Sequence, residues 1–272
     1  MSRTENLSLK IGAKMLLKPL SVELESNQLH LILGPNGAGK STFINVLSGL
    51  ARKTAGNVEI WGHNIDVEMR MARSSIGVVP QELNLDPFFT PFEAVELQAG
   101  LYGVPRSERR TDEILKSVRL IDHKHAYARA LSGGMRRRLL VAKAMAHSPP
   151  VLVLDEPTAG VDVELRRQLW DTIRELNRSG TTVMLTTHYL EEAEELCDQI
   201  AIINKGRVVA CEPTRKLVQR LDRKDVHLTL RELPAEIPQS LQRFETNLEP
   251  PDTIRIRFAP SKTPMPEVLA AV

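Results

Sequence analysis

Apolar residues in this chain fall into short uninterrupted runs and longer stretches with helical spacing, and the two kinds alternate. Positions 29–33 read as a buried strand, followed by a glycine-rich turn and an amphipathic stretch at 41–50. That order is strand, loop, helix. Further strands are predicted at 57–61 and 76–79, and helices at 92–101 and 107–120 on either side of a Tyr102–Pro105 break. A strong helix is predicted at 134–147. The run 151–154 is wholly apolar and ends in two acids, the mark of a central parallel strand. Helix is predicted at 163–177, a β-branched strand at 181–186, and helix again at 189–197. Segments 199–203 and 207–210 read as a hairpin turning at Asn204, Lys205 and Gly206.

Strands alternating with helices imply an α/β layer architecture. The character changes after about Glu212. A helix at 214–221 is followed by two alternating stretches, 226–230 and 253–258, with proline-rich links. These expectations divide the chain into a main domain at 1–221 and a small β-containing appendage at 222–272.

Composition narrows the function classes. The chain has 272 residues with 42% apolar and 26% charged positions, and a net charge of +2. That small excess does not suggest nucleic acid as a partner, because a phosphate-tracking surface carries a strong basic bias. Aromatics at 4% argue against a base-stacking platform. No stretch approaches the roughly 18–20 consecutive apolar residues that span a bilayer. Positions 1–10 are polar and mixed, unlike a secretory signal. Cys197 and Cys211 form no metal-type pair and read as reduced thiols.

Three segments carry chemistry. Gly34, Pro35, Asn36, Gly37, Ala38, Gly39, Lys40 and Ser41 match G-x-x-x-x-G-K-[ST], with Thr42 following. The glycines let the backbone point its N–H groups inward at phosphate oxygens, and the helix that starts here adds its positive dipole end. Lys40 supplies a mobile charge for the outer phosphates, and the Ser41 hydroxyl suits magnesium, which favours hard oxygen ligands. At the end of the 151–154 strand, Asp155 can hold magnesium and Glu156 can polarise an attacking water as general base. At Leu131, Ser132, Gly133, Gly134 and Met135, a serine able to cap the next helix precedes two glycines that expose N–H groups at its start, a second anion site.

The stretch 131–135 closely resembles the signature of ABC ATPases. The order phosphate loop, Gln81, signature, acidic strand, Asp162, His188 is similar to the ABC ATPase domain over roughly residues 20–215. The resemblance implies a P-loop NTPase fold: a RecA-like core, an antiparallel β subdomain and a helical signature subdomain at about 82–148. It implies ATP and Mg2+ as cofactors, and a homodimer in which each signature grips the γ-phosphate held by the other copy. Gln81 looks like the glutamine that contacts magnesium and the attacking water, and the 81–90 loop like the segment that touches a membrane subunit. Asp162 looks like the acid that couples the two sites, and His188 like the γ-phosphate-contacting histidine.

Met135, the Arg136–Arg138 run and the acidic 191–195 stretch resemble ATPase subunits of ABC-2-type exporters of the drug-resistance and polysaccharide type. That branch pairs the ATPase with integral membrane permease subunits, which implies a peripheral position on the cytoplasmic face of the inner membrane. An import ATPase and a soluble non-transport ABC ATPase are the alternatives. One departure stands out. The family's adenine-stacking aromatic falls near Ile11 here, and no Phe, Tyr or Trp precedes Phe43. Weaker discrimination of ATP from GTP is expected than in an aromatic-bearing relative.

Overall fold

The computed structural model describes all residues except 222–223, 232–233, 235, 259 and 261–262, with the backbone alone at 219–221. The chain divides into two compact units, Met1–Thr214 and Arg215–Val272. Residue 222, the expected start of the appendage, lies outside the described residues. The helix expected to end the main domain lies at this dividing line instead of before it.

The first unit opens with two long strands, β1 (Ser2–Ile11) and β2 (Lys14–Leu24), then β3 (Leu29–Leu33) and helix α1 (Lys40–Leu47). Next come β4 (Ala55–Ile60), β5 (His63–Asn64), α2 (Met69–Ser74) and β6 (Ile76–Val79). Three helices follow: α3 (Pro91–Leu101), α4 (Thr111–Ser117) and α5 (Gly133–Ala144). The unit ends with β7 (Val151–Asp155), α6 (Val163–Arg178), β8 (Thr182–Thr187), α7 (Leu190–Leu196), β9 (Gln199–Asn204) and β10 (Arg207–Pro213).

These strands form two sheets. The larger has the order β10-β9-β3-β8-β7-β6. Its members are parallel except β10, which closes one edge as a hairpin with β9. Every residue of β7 and β8 is buried, which explains the unbroken apolar run of β7. The smaller sheet, β2-β1-β4-β5, is antiparallel. One core joins the two sheets: Leu7, Leu17 and Val58 meet Phe43 and Val46 of α1 and Val153, Met184 and Ile203 of the large sheet. Among the described residues, no helix is long and apolar enough to cross a membrane.

Local signals account for most boundaries. Thr90 caps α3 through a complete capping box with Glu93, and Pro91 occupies the first helical position. The helix expected at 107–120 is shorter, because Arg109 turns extended before Thr111. Glu96 on α3 accounts for the break: Arg109 Nη1 donates to it at 2.8 Å and the Thr111 hydroxyl bonds its other oxygen. A tertiary ion pair therefore overrides helical spacing. The strand β1 went unpredicted for a different reason. Asn6 takes a left-handed φ of 49°, and the β1–β2 register shifts between Thr4 and Leu7. Such a bulge destroys the two-residue alternation by which strands are recognised.

Helix α8 (Thr214–Leu221) begins on the last residue of the first unit, and the second unit continues with β11 (Lys224–Thr229), β12 (Glu245–Glu249), β13 (Thr253–Phe258) and α9 (Met265–Ala270). Its antiparallel sheet has the order β11-β13-β12, with β12 and α9 additional to the elements expected. Ile254, Ile256 and Phe258 of the central strand form its core with Leu241 and Val268. Both cysteines are free, and burial pushes the thiol of each upward, so both stay protonated.

Candidate functional site

The loop between β3 and α1 lies at the carboxyl end of the large sheet, where open α/β sheets bind ligands. Two glycines are required there by geometry. A Cβ on Gly34 would overlap the Ile203 carbonyl of β9, and Gly39 adopts φ 111° with the Leu17 side chain directly beneath it. Pro35, Asn36 and Gly37 form an exposed crown, and Ala38 is buried, its carbonyl accepting from Gly206 N at 2.8 Å. Lys40 opens α1 and its side chain folds back under the loop. Its Nζ donates to the Gly34 carbonyl at 2.7 Å and to the Pro35 carbonyl at 3.4 Å. The Ser41 residue that follows is exposed, with Thr42 half-buried behind it.

The two acids at the end of β7 lead different lives. Asp155 is buried and accepts a hydrogen bond from the Thr186 hydroxyl of the neighbouring β8. Glu156 leaves the strand with φ 44°, a left-handed conformation that strains a residue bearing a Cβ. Its N–H is held at 3.0 Å from Thr186 Oγ1 and 3.1 Å from the Thr186 carbonyl. Thr186 therefore organises both acids. It was not singled out from the sequence, although a threonine ending a buried β-branched strand beside an acidic strand end was there to be read.

Three separate segments bring side chains to the Glu156 carboxylate. Lys40 Nζ stands 3.1 Å from Oε1, with both side chains almost wholly buried. Gln81, just beyond β6, donates from Nε2 to Oε2 at 3.4 Å. His188, just beyond β8, places Nδ1 3.5 Å from the same oxygen. The sheet order β8-β7-β6 is what makes this convergence possible, since each of these strands ends beside the next.

The signature residues and Asp162 lie elsewhere. Ser132 caps α5, its hydroxyl accepting from Met135 N at 3.3 Å, and Leu131 is buried. Gly133 is exposed with nothing near its Cβ position, whereas a Cβ on Gly134 would press within 2.7 Å of Leu165 of α6. Asp162 caps α6, accepting from Leu165 N at 2.9 Å. Among the described residues, no hydrogen bond or ion pair joins 131–135 to the loop at 34–42 within one copy. Ile11 is 63% exposed near the turn of the β1–β2 hairpin, whose Leu16 and Leu17 underlie Gly206 and Gly39.

The ABC transporter family model matches residues 17–159, which include the loop, Gln81, the signature and both acids. The chain belongs to the ABC transporter ATP-binding family. The linearmycin resistance ATP-binding protein of Bacillus subtilis is 39% identical over 223 residues, covering 81% of this chain and 72% of that one. Nod factor export ATP-binding protein I of Ralstonia nicotianae is 41% identical over 216 residues, covering 79% and 67%. Among solved structures, a dimeric ATP-binding cassette in a post-hydrolysis state, bound to ADP and Pi, matches with TM-score 0.69 and 29% identity. That match covers 79% of this ABC ATPase and 99% of the other chain. The α/β fold with one mainly parallel and one antiparallel sheet is that of the ABC cassettes. This chain is accordingly an ATP-binding, ATP-hydrolysing subunit of an ABC transporter.

Proposed function

We propose that two copies of this ATPase close around ATP and drive an ABC-2-type exporter from the cytoplasmic face of the membrane. The supporting observation is the convergence of Lys40, Gln81 and His188 on Glu156. In this reading the 34–42 loop cradles the triphosphate, and Lys40 leaves Glu156 for the outer phosphate oxygens. Glu156, relieved of that ion pair, accepts a proton from the attacking water, with Gln81 orienting the water and His188 contacting the γ-phosphate. The held backbone of Glu156 supports this role, because a strained conformation persists only where its surroundings fix it.

The oxygen donors around the loop fit magnesium. The Ser41 hydroxyl is exposed at the first turn of α1, the Asp155 carboxylate lies beside Glu156, and Gln81 carries an amide oxygen. One or two such ligands plus phosphates and water are what this ion takes. Bound there, magnesium would neutralise charge on the phosphate oxygens.

The start of α5 supports the paired arrangement, since Ser132 and Gly133 are exposed there and the chain's own phosphate loop is elsewhere. Two-fold pairing would bring each α5 start to the other copy's nucleotide and complete both sites at once. Gly133→Ala isolates this role. Nothing lies near its Cβ and it stands at the first position of α5, so folding stability is expected to hold. ATP hydrolysis is nonetheless expected to fall about tenfold or more, as the added methyl enters the space required by the partner's phosphate. Full activity with a normal melting temperature would remove the reason for pairing.

The exporter assignment extends to this chain what its relatives' names state of export and resistance. Affinity purification of the full chain from detergent-solubilised membranes is expected to retain an integral membrane protein in fixed ratio. Recovery of all the chain from the soluble fraction, with no membrane protein attached, would favour the soluble non-transport alternative.

A further inference from the structure

The three arginines after the signature have different surroundings. Arg138 Nη1 donates to the Val118 and Arg119 carbonyls at 3.3 and 3.4 Å, holding α5 to its neighbours. Arg137 is different: it is 6% exposed and points across to the end of β6. Its Nη1 donates to the Gln81 carbonyl at 2.5 Å and to the Pro80 carbonyl at 3.4 Å. Among the described residues no carboxylate pairs with it, and its Nε has no partner. Burial alone pulls its pKa below the usual arginine value, which agrees with the absence of a nearby acid. A buried cation with two main-chain carbonyls and no carboxylate beside it is costly.

What it fixes is Gln81. The same residue whose carbonyl Arg137 holds sends its side-chain amide to Glu156. The far end of α5 is fitted just as closely to β6, for a Cβ on Gly77 would overlap the Ala144 carbonyl. Helix α5 and the strand leading to Gln81 are thus joined at both ends, by a missing side chain at one and a guanidinium at the other.

We propose that Arg137 is a positioning residue for hydrolysis, which holds Gln81 by its main chain so that the seating of the signature helix sets where the Gln81 amide stands beside Glu156. The inference rests on the reading of Gln81 and Glu156 as the groups that handle the attacking water. Because α5 begins at the exposed signature, Arg137 makes the nucleotide held by the partner copy felt at the carboxylate of this one. Coupling of this kind is carried by an element that both sites bias.

The test compares Arg137→Met, Arg137→Lys, Gln81→Ala and the Arg137→Met/Gln81→Ala double, each in the full chain, by steady-state phosphate release and ATP titration. Methionine fills the buried space without donors, and lysine restores the charge and N–H donors on a single nitrogen. The expected result for Arg137→Met is a kcat lowered about 10- to 100-fold with KM for ATP within about threefold of the parent, the signature of an interaction used in the transition state. Lysine is expected to recover part of the loss. The double is expected to be no slower than Gln81→Ala alone, because both changes remove one unit. Unfolding temperatures accompany each variant, and if methionine prevents folding the lysine variant carries the same comparison.

A parental kcat for Arg137→Met, losses that add in the double, or a Gln81→Ala variant that turns over normally would each overturn the proposal. Glu156→Gln separates this failure from a failure of the site. If that variant hydrolyses ATP at the parental rate the site reading is wrong, whereas if it is inactive and Arg137→Met is normal, only the role of Arg137 falls.

Discussion

Glu156→Gln is expected to retain ATP, to hydrolyse it about 100-fold or more slowly than the parent, and to accumulate as a dimer. The rate follows from chemistry: an amide cannot accept the water's proton, and a positioned general base contributes roughly 10²–10⁴-fold. Retention follows from the ion pair. The Lys40 ammonium is bound to Glu156 at 3.1 Å and to the Gly34 carbonyl at 2.7 Å. Phosphate must draw Lys40 from that carboxylate, and a neutral glutamine resists less, so ATP affinity is expected to hold or rise. The substitution leaves the backbone at its left-handed φ with the same Thr186 hydrogen bonds, but it leaves the buried Lys40 ammonium without its carboxylate, so the unfolding temperature is measured beside the rate. Phosphate-release kinetics, nucleotide titration and solution mass with and without ATP–Mg2+ make the three measurements. Turnover at the parental rate would end the assignment of Glu156 as base.

The reach of sequence reasoning differed along the chain for physical reasons. The phosphate loop was legible because its requirements are contiguous: glycines for a curled backbone, a lysine at the helix start, and a strand immediately before. The helix cap expected at Ser132 is equally local and holds its bond in the structure, and the structure adds caps at Thr90 and Asp162. The long strand β1 was hidden because the bulge around Asn6 breaks its alternation, whereas β2 alternates buried and exposed positions over residues 20–24 and was there to be read. Convergence on Glu156 is another kind of fact. Lys40, Gln81 and His188 come from segments far apart in the chain, and only the family resemblance tied them to one site. Their meeting depends on the order of parallel strands, which no single segment encodes. Thr186 and Arg137 act through atoms whose partners lie across the fold, and a threonine in a strand or an arginine in a basic run carries no mark of that.

Lys40→Met is expected to abolish nucleotide binding and, in addition, to destabilise the fold, and the second effect distinguishes this site from a merely exposed phosphate loop. The Lys40 and Glu156 side chains are 5% and 10% exposed. Removing one partner of a buried pair leaves an uncompensated charge and costs about 3–5 kcal/mol, whereas replacing both is often neutral. In a protein of this size each kcal/mol moves the melting temperature by about 2–4 °C, so a drop of several degrees is expected. Methionine keeps the volume of the lysine stem, so packing loss contributes little. After Lys40→Met, the Glu156 carboxylate keeps, among the described residues, the Gln81 amide at 3.4 Å and the His188 ring at 3.5 Å. The double Lys40→Met/Glu156→Gln is expected to regain most of the lost stability while still failing to bind ATP. Thermal unfolding of the parent, both singles and the double, alongside ATP titration, gives the full cycle. Should the double melt as low as Lys40→Met, the buried pair is not what the lysine stabilises. Should Lys40→Met bind ATP with parental affinity, the 34–42 loop is not the phosphate cradle.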